Sequence, residues 1–389
     1  MKKISITITI IIILLLMFIF INKTHSPTNE QINFQTSEKE NINKMSVSYN
    51  GWLHTSGYKL ENERNENIQL RGLSSHGIEW FYDVITYENL ENLKNNWNIN
   101  VFRIAMYTDS HGEGYIFNQA ENKEKVYNII DMAMQLDMYV IVDWHILDDN
   151  NPQIHKEEAK LFFDEVSKKY ANTPNVIYEI CNEPNGNEVT WDRDIKPYAE
   201  EIIPIIRNNS EKSLIIVGTP DWCKKMNKAA DNPLDFPNIV YSCHFYSGTH
   251  GSELREKINY CIEKDIPIFV SECGLTQANG NGELFFDEFS EWISYLNSKN
   301  ISWVYWSFSN KNESSAILLP EFMNTTLNNN NNSESNNIIN TPDDGANYNN
   351  SNNINTGAKS SNTILTNSLN LNDYLTESGK FIKSIFQSY

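Results

Sequence analysis

Residues 177–184 (IYEICNEP) and 268–274 (IFVSECG) are two short apolar runs, and each of them stops at a glutamate, Glu183 in the first and Glu272 in the second. Each run predicts a buried β-strand because it is short, is rich in Ile and Val, and is closed by Pro or Gly. A carboxylate at the end of a buried strand is costly to desolvate, which indicates that both glutamates have a function. With helical patterns between them, the runs predict a parallel barrel whose strand ends carry a carboxylate pair.

The rest of the chain repeats the same order of elements. Strand-like runs alternate with helical patterns eight times, which is typical of βαβ units. We predict an α/β fold, a TIM (β/α)8 barrel that forms a single catalytic domain over residues 47–389. The predicted strands are 68–74, 101–106, 139–145, 176–182, 214–218, 239–245, 266–272 and 302–307, and the clearest helices are 123–136, 157–170, 194–207, 254–264 and 286–299. Residues 48–60 are expected to form a hairpin or loop that closes the bottom of the barrel.

The N-terminus has the pattern of an export signal. Lys2 and Lys3 precede an apolar run over residues 4–21, as in a secretory signal peptide. The run is long, and no small-residue cleavage site follows it, so a retained signal anchor in the membrane is the alternative. Either interpretation of residues 1–21 places the protein outside the cell or on its surface, and residues 22–46 are predicted to be a polar linker.

A second atypical segment lies near the C-terminus. Residues 324–363 are dominated by Asn, Ser and Thr, and this composition cannot bury enough apolar surface to order itself. Residues 375–382 then resume a helical pattern. We therefore predict a disordered Asn-rich insertion in the last βα loop rather than the end of the domain.

Composition excludes several classes of partner. The net charge is −19 and no basic patch is present, so we expect no nucleic-acid partner. The five cysteines match neither a disulfide framework nor a zinc-binding pattern, and we expect small buried thiols. No metal and no cofactor is expected, and the protein is expected to be a monomer that contacts a membrane only through its N-terminal segment.

The predicted strand ends carry a consistent set of polar and aromatic side chains. In a parallel barrel the carboxyl ends of all strands meet at one rim, so these side chains are expected to converge. From the first strand to the eighth they are His76 and Trp80, Arg103 and Tyr107, Asp143 to His145, Asn182 and Glu183, Trp222, His244 and Tyr246, Glu272, and Trp306.

This order of motifs resembles glycoside hydrolase family 5, and most closely its bacterial endo-β-1,4-glucanase branch. Asn182-Glu183-Pro184 after an apolar strand is the signature of that family, and the resemblance covers about residues 45–386 apart from the Asn-rich stretch. It implies that Glu183 is the general acid/base and Glu272 the nucleophile. The physical requirements agree, since the acid must keep its proton and a nearby Arg103 would hold Glu272 ionised.

The resemblance also assigns supporting residues. Tyr246 is similar to the tyrosine that orients the nucleophile, Asn182 to the residue that binds the sugar 2-hydroxyl, and His145 and His244 to the two site histidines, with His244 next to Glu183. Trp306 resembles the platform on which a sugar stacks. The remaining substrate-binding residues of the cleft are expected to be His76, Trp80, Tyr107, Trp222, Lys311 and Glu313.

The function expected from these residues is retaining hydrolysis of internal β-1,4 bonds in cellulose-type glucans. Two alternatives stay open: a retaining hydrolase of another β-glycan (mannan, xyloglucan or mixed-linkage glucan), and a non-catalytic glycan-binding surface protein. Ordinary structural roles also compete at single positions, since Arg103 fits a buried ion pair and His244 fits a core histidine. Cys273 departs from the family, where an aromatic residue is common after the nucleophile, and we interpret it as a packing exchange.

Overall fold

The computed structural model describes residues 44–110, 112–322 and 370–389. The predicted signal segment, the Asn-rich insertion and most of the predicted linker lie outside these residues. None of the helices in the described part combines the length and the apolar run that crossing a bilayer requires.

Eight parallel strands close into a barrel, which confirms the predicted TIM (β/α)8 fold. A two-stranded hairpin, β1 (His54–Ser56) and β2 (Lys59–Glu61), precedes the barrel. The barrel strands are β3 (Arg71–Ser75), β4 (Val101–Tyr107), β5 (Tyr139–His145), β6 (Val176–Glu179), β7 (Ile215–Val217), β8 (Ile239–Tyr246), β9 (Ile268–Gly274) and β10 (Trp303–Phe308). β10 pairs with β3 and closes the ring.

Helices surround the barrel in the expected positions. They are α1 (Val47–Asn50), α2 (Ile78–Phe81), α3 (Tyr87–Trp97), α4 (Gln119–Gln135), α5 (Lys156–Lys169), α6 (Lys196–Asn209), α7 (Pro220–Cys223), α8 (Met226–Asp231), α9 (Ser252–Glu263), α10 (Phe286–Lys299) and α11 (Glu377–Gln387). The five helices predicted from sequence correspond to α4, α5, α6, α9 and α10. The helical pattern after the Asn-rich stretch corresponds to α11.

The barrel interior changes from apolar to polar along strands such as β5. In β5, Tyr139, Ile141, Asp143 and His145 face inward, because side chains alternate and the residues between them pack against the helices. The lower layer of the interior is apolar and includes the hairpin that was expected to close the bottom. Its members are Val47, Leu53, Leu60, Ile68, Leu70, Val101, Tyr139, Ile141, Ile177, Leu214, Ile216, Val240, Phe269 and Val304.

A β-bulge in β9 modifies this alternation next to the glutamate at the strand end. Ser242 of β8 pairs with Phe269, but His244, two residues further, pairs with Glu272, three residues further. The extra residue in β9 lets both Ser271 and Glu272 face the interior, where each hydrogen-bonds to another strand. Strict alternation would have sent one of the two side chains into the outer core.

The close approach of β3 and β4 gives a stability prediction at Gly72. A Cβ atom at this position would lie 1.8 Å from the carbonyl oxygen of Val101, a backbone atom that cannot move without shifting the strand. We expect Gly72→Ala to lower the free energy of unfolding by about 3 kcal/mol or more, which urea denaturation would measure. Gly251→Ala is the control, because a Cβ there meets no atom closer than 3.4 Å. Equal stability of the two variants would contradict this account of the barrel.

Candidate active site

A cleft of about 440 Å³ opens at the carboxyl ends of the barrel strands. Loops after six strands supply its walls, and both strand-end glutamates lie in its floor. The cleft is lined by His76, Tyr107, His145, Leu147, Glu183, Trp222, Lys224, His244, Tyr246, His250, Glu272, Ala278, Asn279, Gly280, Trp306, Lys311 and Glu313.

The two glutamates face each other although 89 positions separate them in the sequence. One carboxylate oxygen of each, together with a ring nitrogen of His244, lies within a group whose atoms are all within 4.8 Å of one another. Both side chains are buried. Burial is the main reason that their pKa values rise, to about 7 for each, and the carboxylate of Glu183 also opposes the ionisation of Glu272.

Glu272 is surrounded by hydrogen-bond donors. Arg103 donates from Nη1 to Oε2 over 3.2 Å, and the Tyr246 hydroxyl donates to Oε1 over 2.7 Å. Burial raises the pKa of Glu272, and this rise is reduced by His244, by the positive charge of Arg103 and by the hydrogen bond from Tyr246. The two donors on this carboxylate favour its ionised form.

Glu183 has a different set of neighbours. Its Oε1 lies 2.7 Å from Nδ1 of His244, while burial lowers the pKa of that histidine to about 4. A neutral imidazole offers no positive charge to the carboxylate. The environment of Glu183 therefore favours its protonated form, as a general acid requires.

Arg103 connects the glutamates to the strands below them. Its guanidinium is fully buried and donates from Nε to Glu179 over 2.7 Å and from Nη2 to Asn182 over 2.6 Å. Asp143 is its third carboxylate neighbour, at 3.0 Å from Nη2. Burial opposes the charge on the guanidinium, but the carboxylates around it raise the pKa of Arg103, which stays protonated.

His145 is held by the same group of polar residues. Its Nδ1 lies 2.6 Å from Asp143, and the Asn182 amide lies 3.3 Å from its Nε2. Burial and the nearby Arg103 lower the pKa of His145, so the ring is neutral. A proton on Nδ1, directed at Asp143, leaves Nε2 free to accept from the Asn182 amide.

Aromatic rings form one side of the cleft. Trp306 stacks against His145 at a centroid distance of 5.4 Å and lies 4.8 Å from the ring of His76. Trp80 contacts Tyr107 at a centroid distance of 5.1 Å but is not among the residues that line the cleft. Such faces suit the apolar faces of sugar rings.

Polar and exposed groups form the rim. Lys311 forms an ion pair with Glu313, and its Nζ lies 3.2 Å from Nε2 of His76. Across the cleft, Trp222 is 42% exposed, and Lys224 lies 5.1 Å from its ring centroid. The short segment α7 that contains Trp222 is a left-handed turn rather than a regular helix, because φ is positive at Asp221, Trp222 and Cys223. A non-glycine residue with positive φ is costly, so this turn needs support from the surrounding structure.

A metal ion would find one group of three donors in the part of the chain described here, Glu183, His244 and Glu272. All three already have hydrogen-bond partners in the site.

The sequence itself assigns the chain to a family. The sequence profile described as Cellulase (glycosyl hydrolase family 5) matches residues 61–312, which is more than half of the chain and includes both glutamates. The chain belongs to glycosyl hydrolase family 5. The family predicted from the strand-end motifs is thus confirmed.

Relatives in the family are similar over most of the described chain. An endoglucanase of Clostridium saccharobutylicum is 49% identical over 272 residues, which are 70% of this chain and 60% of the relative. Endoglucanase A of Evansella cellulosilytica is 51% identical over 253 residues, which are 65% of this chain and 51% of the relative. The chain thus spans between half and two thirds of the length of these relatives.

A solved structure of the family has the same architecture. The catalytic domain of a Thermobifida fusca endoglucanase, crystallised with cellotetraose, superposes with a TM-score of 0.71 at 30% identity. The match covers 88% of this chain and 99% of that chain.

The predicted site residues all lie at this end of the barrel. Those that line the cleft are His76, Tyr107, His145, Glu183, Trp222, His244, Tyr246, Glu272, Trp306, Lys311 and Glu313. Arg103 and Asn182 are hydrogen-bonded to each other, and Arg103 to Glu272, beneath the cleft, and Trp80 contacts the ring of Tyr107. The roles given to these residues stay predictions, because the structure places them without testing what they do.

Other residues of the site were missed. His250, Lys224 and Gly280 come from loops whose path no local pattern indicates. Glu179 and Ser271 face the interior one layer below the glutamates, and strand alternation could have found Glu179, which precedes Glu183 by four residues. The inward direction of Ser271 depends on the bulge in β9, which no sequence pattern indicates.

The buried guanidinium gives a prediction about stability. Lysine keeps the charge of Arg103 but cannot donate at once to Glu179, Glu272 and Asn182. We expect Arg103→Lys to lower the free energy of unfolding by about 3 kcal/mol, measured by urea denaturation. The control is Arg193→Lys, whose side chain is 59% exposed, with an expected change below about 0.5 kcal/mol. Similar losses in the two variants would refute a central role for the guanidinium fork.

Proposed function

We propose that this protein is a retaining endo-β-1,4-glucanase that hydrolyses internal bonds of cellulose-type β-glucans. The observation that carries the proposal is the pair Glu183 and Glu272, close together in one cleft but with opposite neighbours. An arginine and a phenol donate to one carboxylate, and a neutral histidine faces the other. Such a pair can act as nucleophile and acid in cleavage of a glycosidic bond.

In the first step the ionised Glu272 attacks the anomeric carbon of the bound glucan. The bond from that carbon to the leaving oxygen breaks, and the proton of Glu183 passes to that oxygen. The shorter glycan leaves, and the remaining sugar is held as an ester of Glu272. The hydrogen bonds to Glu272 orient it for attack. They weaken as the carboxylate loses its negative charge on forming the ester.

In the second step Glu183 acts as the base. It takes a proton from a water molecule, whose oxygen attacks the anomeric carbon on the face that the first product has left. The ester bond to Glu272 breaks and its carboxylate is restored. Two inversions at one carbon return the original configuration, so the proposal is retention.

The spacing of the carboxyl groups favours this route over inversion. An inverting enzyme keeps its two carboxyl groups about 6.5–9.5 Å apart to leave room for a water molecule, and a retaining enzyme about 5–5.5 Å. Here one oxygen atom of Glu183 and one of Glu272 lie within 4.8 Å of each other, a separation between single atoms that supports the shorter spacing.

The choice of β-1,4-glucan rests on the relatives and on the cleft. The relatives described above are named endoglucanases, and the solved Thermobifida fusca domain holds cellotetraose. The aromatic rings at Trp306, Tyr107 and Trp222 suit successive glucose faces, and Lys311 and Glu313 offer polar contacts to equatorial hydroxyls. The Asn182 amide next to the pair fits the sugar 2-hydroxyl.

We also propose that the protein acts outside the cytoplasm. Lys2, Lys3 and the apolar run over residues 4–21 support export, as does a substrate too large to enter a cell. Fractionation of the producing cells, with the N-terminal residue of the recovered protein determined, would distinguish a cleaved signal from a retained anchor.

Exchanging each carboxylate for an amide separates their roles. Glu272→Gln is expected to bind cello-oligosaccharides but to lose at least about 10³-fold in kcat, because the amide cannot form the ester. Glu183→Gln is expected to lose activity on glucan yet keep the first step on an aryl cellobioside with an acidic phenol, whose departure needs no proton. Steady-state kinetics and oligosaccharide binding measure both. Substantial turnover of glucan by Glu272→Gln would remove it from the nucleophile role.

Substrate choice is tested with a panel of soluble β-glycans. We expect reducing-sugar release from carboxymethylcellulose to exceed release from mannan, xyloglucan and mixed-linkage glucan by about tenfold or more, a difference of about 1.4 kcal/mol in transition-state binding. The first product observed by proton NMR should be the β-anomer. Preference for mannan, or an α-anomer as first product, would contradict the proposal, and binding without any hydrolysis would favour a non-catalytic surface protein.

A further inference from the structure

A buried carboxyl group without a partner lies behind one wall of the cleft. Helix α2 follows β3 and packs against β4 and α4. It carries Glu79, whose two carboxyl oxygen atoms are buried and have no hydrogen-bond partner in the part of the chain that the structure describes. Such groups are rare in folded proteins, because an unpaired buried carboxylate is very costly. Glu79 takes no part in the chemical steps proposed above, so its position needs another explanation.

The groups that face Glu79 leave it in its neutral form. Burial raises the pKa of Glu79 to about 8, and Asp143 on β5 adds to this rise. The nearby backbone N–H groups of Glu79 and Tyr107 and the positive charge of Lys125 on α4 lower the pKa, but they do not cancel the effect of burial. Lys125 itself forms an ion pair with Glu121 over 2.9 Å. At neutral pH Glu79 therefore keeps its proton, and an uncharged carboxyl group can stay buried.

Glu79 is connected to the cleft through its neighbours. Trp80, the next residue, contacts the ring of Tyr107 at a centroid distance of 5.1 Å, and Tyr107 lines the cleft. This wall is tightly packed, since a Cβ atom on Gly77 would lie 2.6 Å from the ring of Trp80 and 2.9 Å from that of Tyr107. The Tyr107 ring also lies 4.2 Å from the ring of His145, measured between centroids. A movement of α2 therefore disturbs the aromatic side of the cleft.

Ionisation of Glu79 would cause such a movement. A buried charge without a partner is relieved when the carboxylate turns toward water or toward Lys125. Because α2 has only four residues and also carries Trp80, either change shifts the indole ring together with the carboxylate. The Tyr107 phenol does not ionise in the same range, since burial raises its pKa.

We propose that Glu79 is a positioning residue: its protonated carboxyl group holds Trp80 and Tyr107 in place, and its ionisation in alkaline solution loosens this wall and weakens the binding of glucan. The inference rests on the proposed function, because it takes the ligand of the cleft to be a β-glucan. It concerns the binding step and adds no group to the chemical steps.

The size of the effect follows from linkage between the proton and the glucan. A bound glucan covers the wall and opposes the movement of α2, so Glu79 ionises less readily in the complex than in the free protein. We expect its pKa to be about one unit higher in the complex, which corresponds to an affinity about tenfold lower once Glu79 is ionised.

The first experiment follows the wall itself and needs no glucan. The indole nitrogen-15 NMR signal of Trp80, identified with Trp80→Phe, is recorded from about pH 6 to about pH 9, a range that contains the ionisation of a carboxyl group with a pKa of about 8. We expect the signal to shift in the wild type and to stay in place in Glu79→Gln, whose side chain has a similar shape but does not titrate. A constant Trp80 signal in the wild type would overturn the proposal even if Glu79→Gln fails to fold, and so would an equal shift in Glu79→Gln.

The second experiment measures the binding of cellotetraose by calorimetry over the same range of pH. Both proteins carry Glu272→Gln, which is expected to prevent turnover, and one of them also carries Glu79→Gln. From the lowest to the highest pH, the dissociation constant should rise about tenfold more in the protein that keeps Glu79. Glu183 titrates in both proteins, so its effect cancels in the comparison. Equal pH dependence in the two proteins would contradict the proposal.

Absence of cellotetraose binding at every pH would have a different meaning. It would count against the proposed function, and the Trp80 signal would then decide whether Glu79 positions the wall.

Two further variants separate the ionisation of Glu79 from a general effect of charge. Glu88→Gln removes an exposed carboxylate from α3, the next helix, and should keep the wild-type shift of the Trp80 signal. Lys125→Met removes a positive charge that lowers the pKa of Glu79, so the midpoint of the shift should move to higher pH. Loss of the shift in Glu88→Gln, or a midpoint that does not rise in Lys125→Met, would show that another group titrates.

Discussion

One buried guanidinium holds the functional end of this barrel together. Arg103 lies among Asp143, Glu179 and Glu272, so that three carboxylates from three other strands surround one positive charge. Isolated charges are very costly inside a protein, and each member of this group is acceptable only because the others are present. The planar fork of arginine also fixes directions, since each nitrogen donates to a particular neighbour.

The proposed division of roles between the two glutamates rests on this arrangement. Glu272 lies against the arginine and a phenol and is stabilised as an anion, whereas Glu183 lies against a histidine whose burial keeps it neutral. Two glutamates whose carboxylate oxygen atoms lie within 4.8 Å of each other thus differ in chemical character. What separates them is the set of donors and acceptors around each carboxylate.

The interior of the barrel below the site is an apolar layer that supports the site, and the N-terminal hairpin contributes Leu60 to that layer. Cys273, where the resemblance led us to expect an aromatic residue, packs in the outer core and donates from Sγ to the Val304 carbonyl over 3.3 Å. This agrees with its interpretation as a packing exchange. All five cysteines are free and buried, as expected from their spacing.

The sequence by itself determined the helices and strands and the group of side chains at the carboxyl ends of the barrel strands. Apolar runs of strand length between amphipathic helices predicted the barrel, and β5 and α10 have the predicted bounds, because burial patterns are local. Strand ends of a parallel barrel must meet, so Glu183, Glu272, Arg103 and the aromatic residues could be grouped without coordinates.

Only the tertiary structure decided which of these groups touch. β6 ends at Glu179, yet the backbone N–H of Asn182 still donates to the carbonyl oxygen of Trp144. The segment after β6 therefore reaches the rim without regular pairing to both neighbouring strands. The places of His250 and Lys224 depend on loops, and the inward turn of Ser271 depends on an extra residue in β9. Such features arise from contacts between distant segments, and contacts of that kind leave no periodic trace in the sequence.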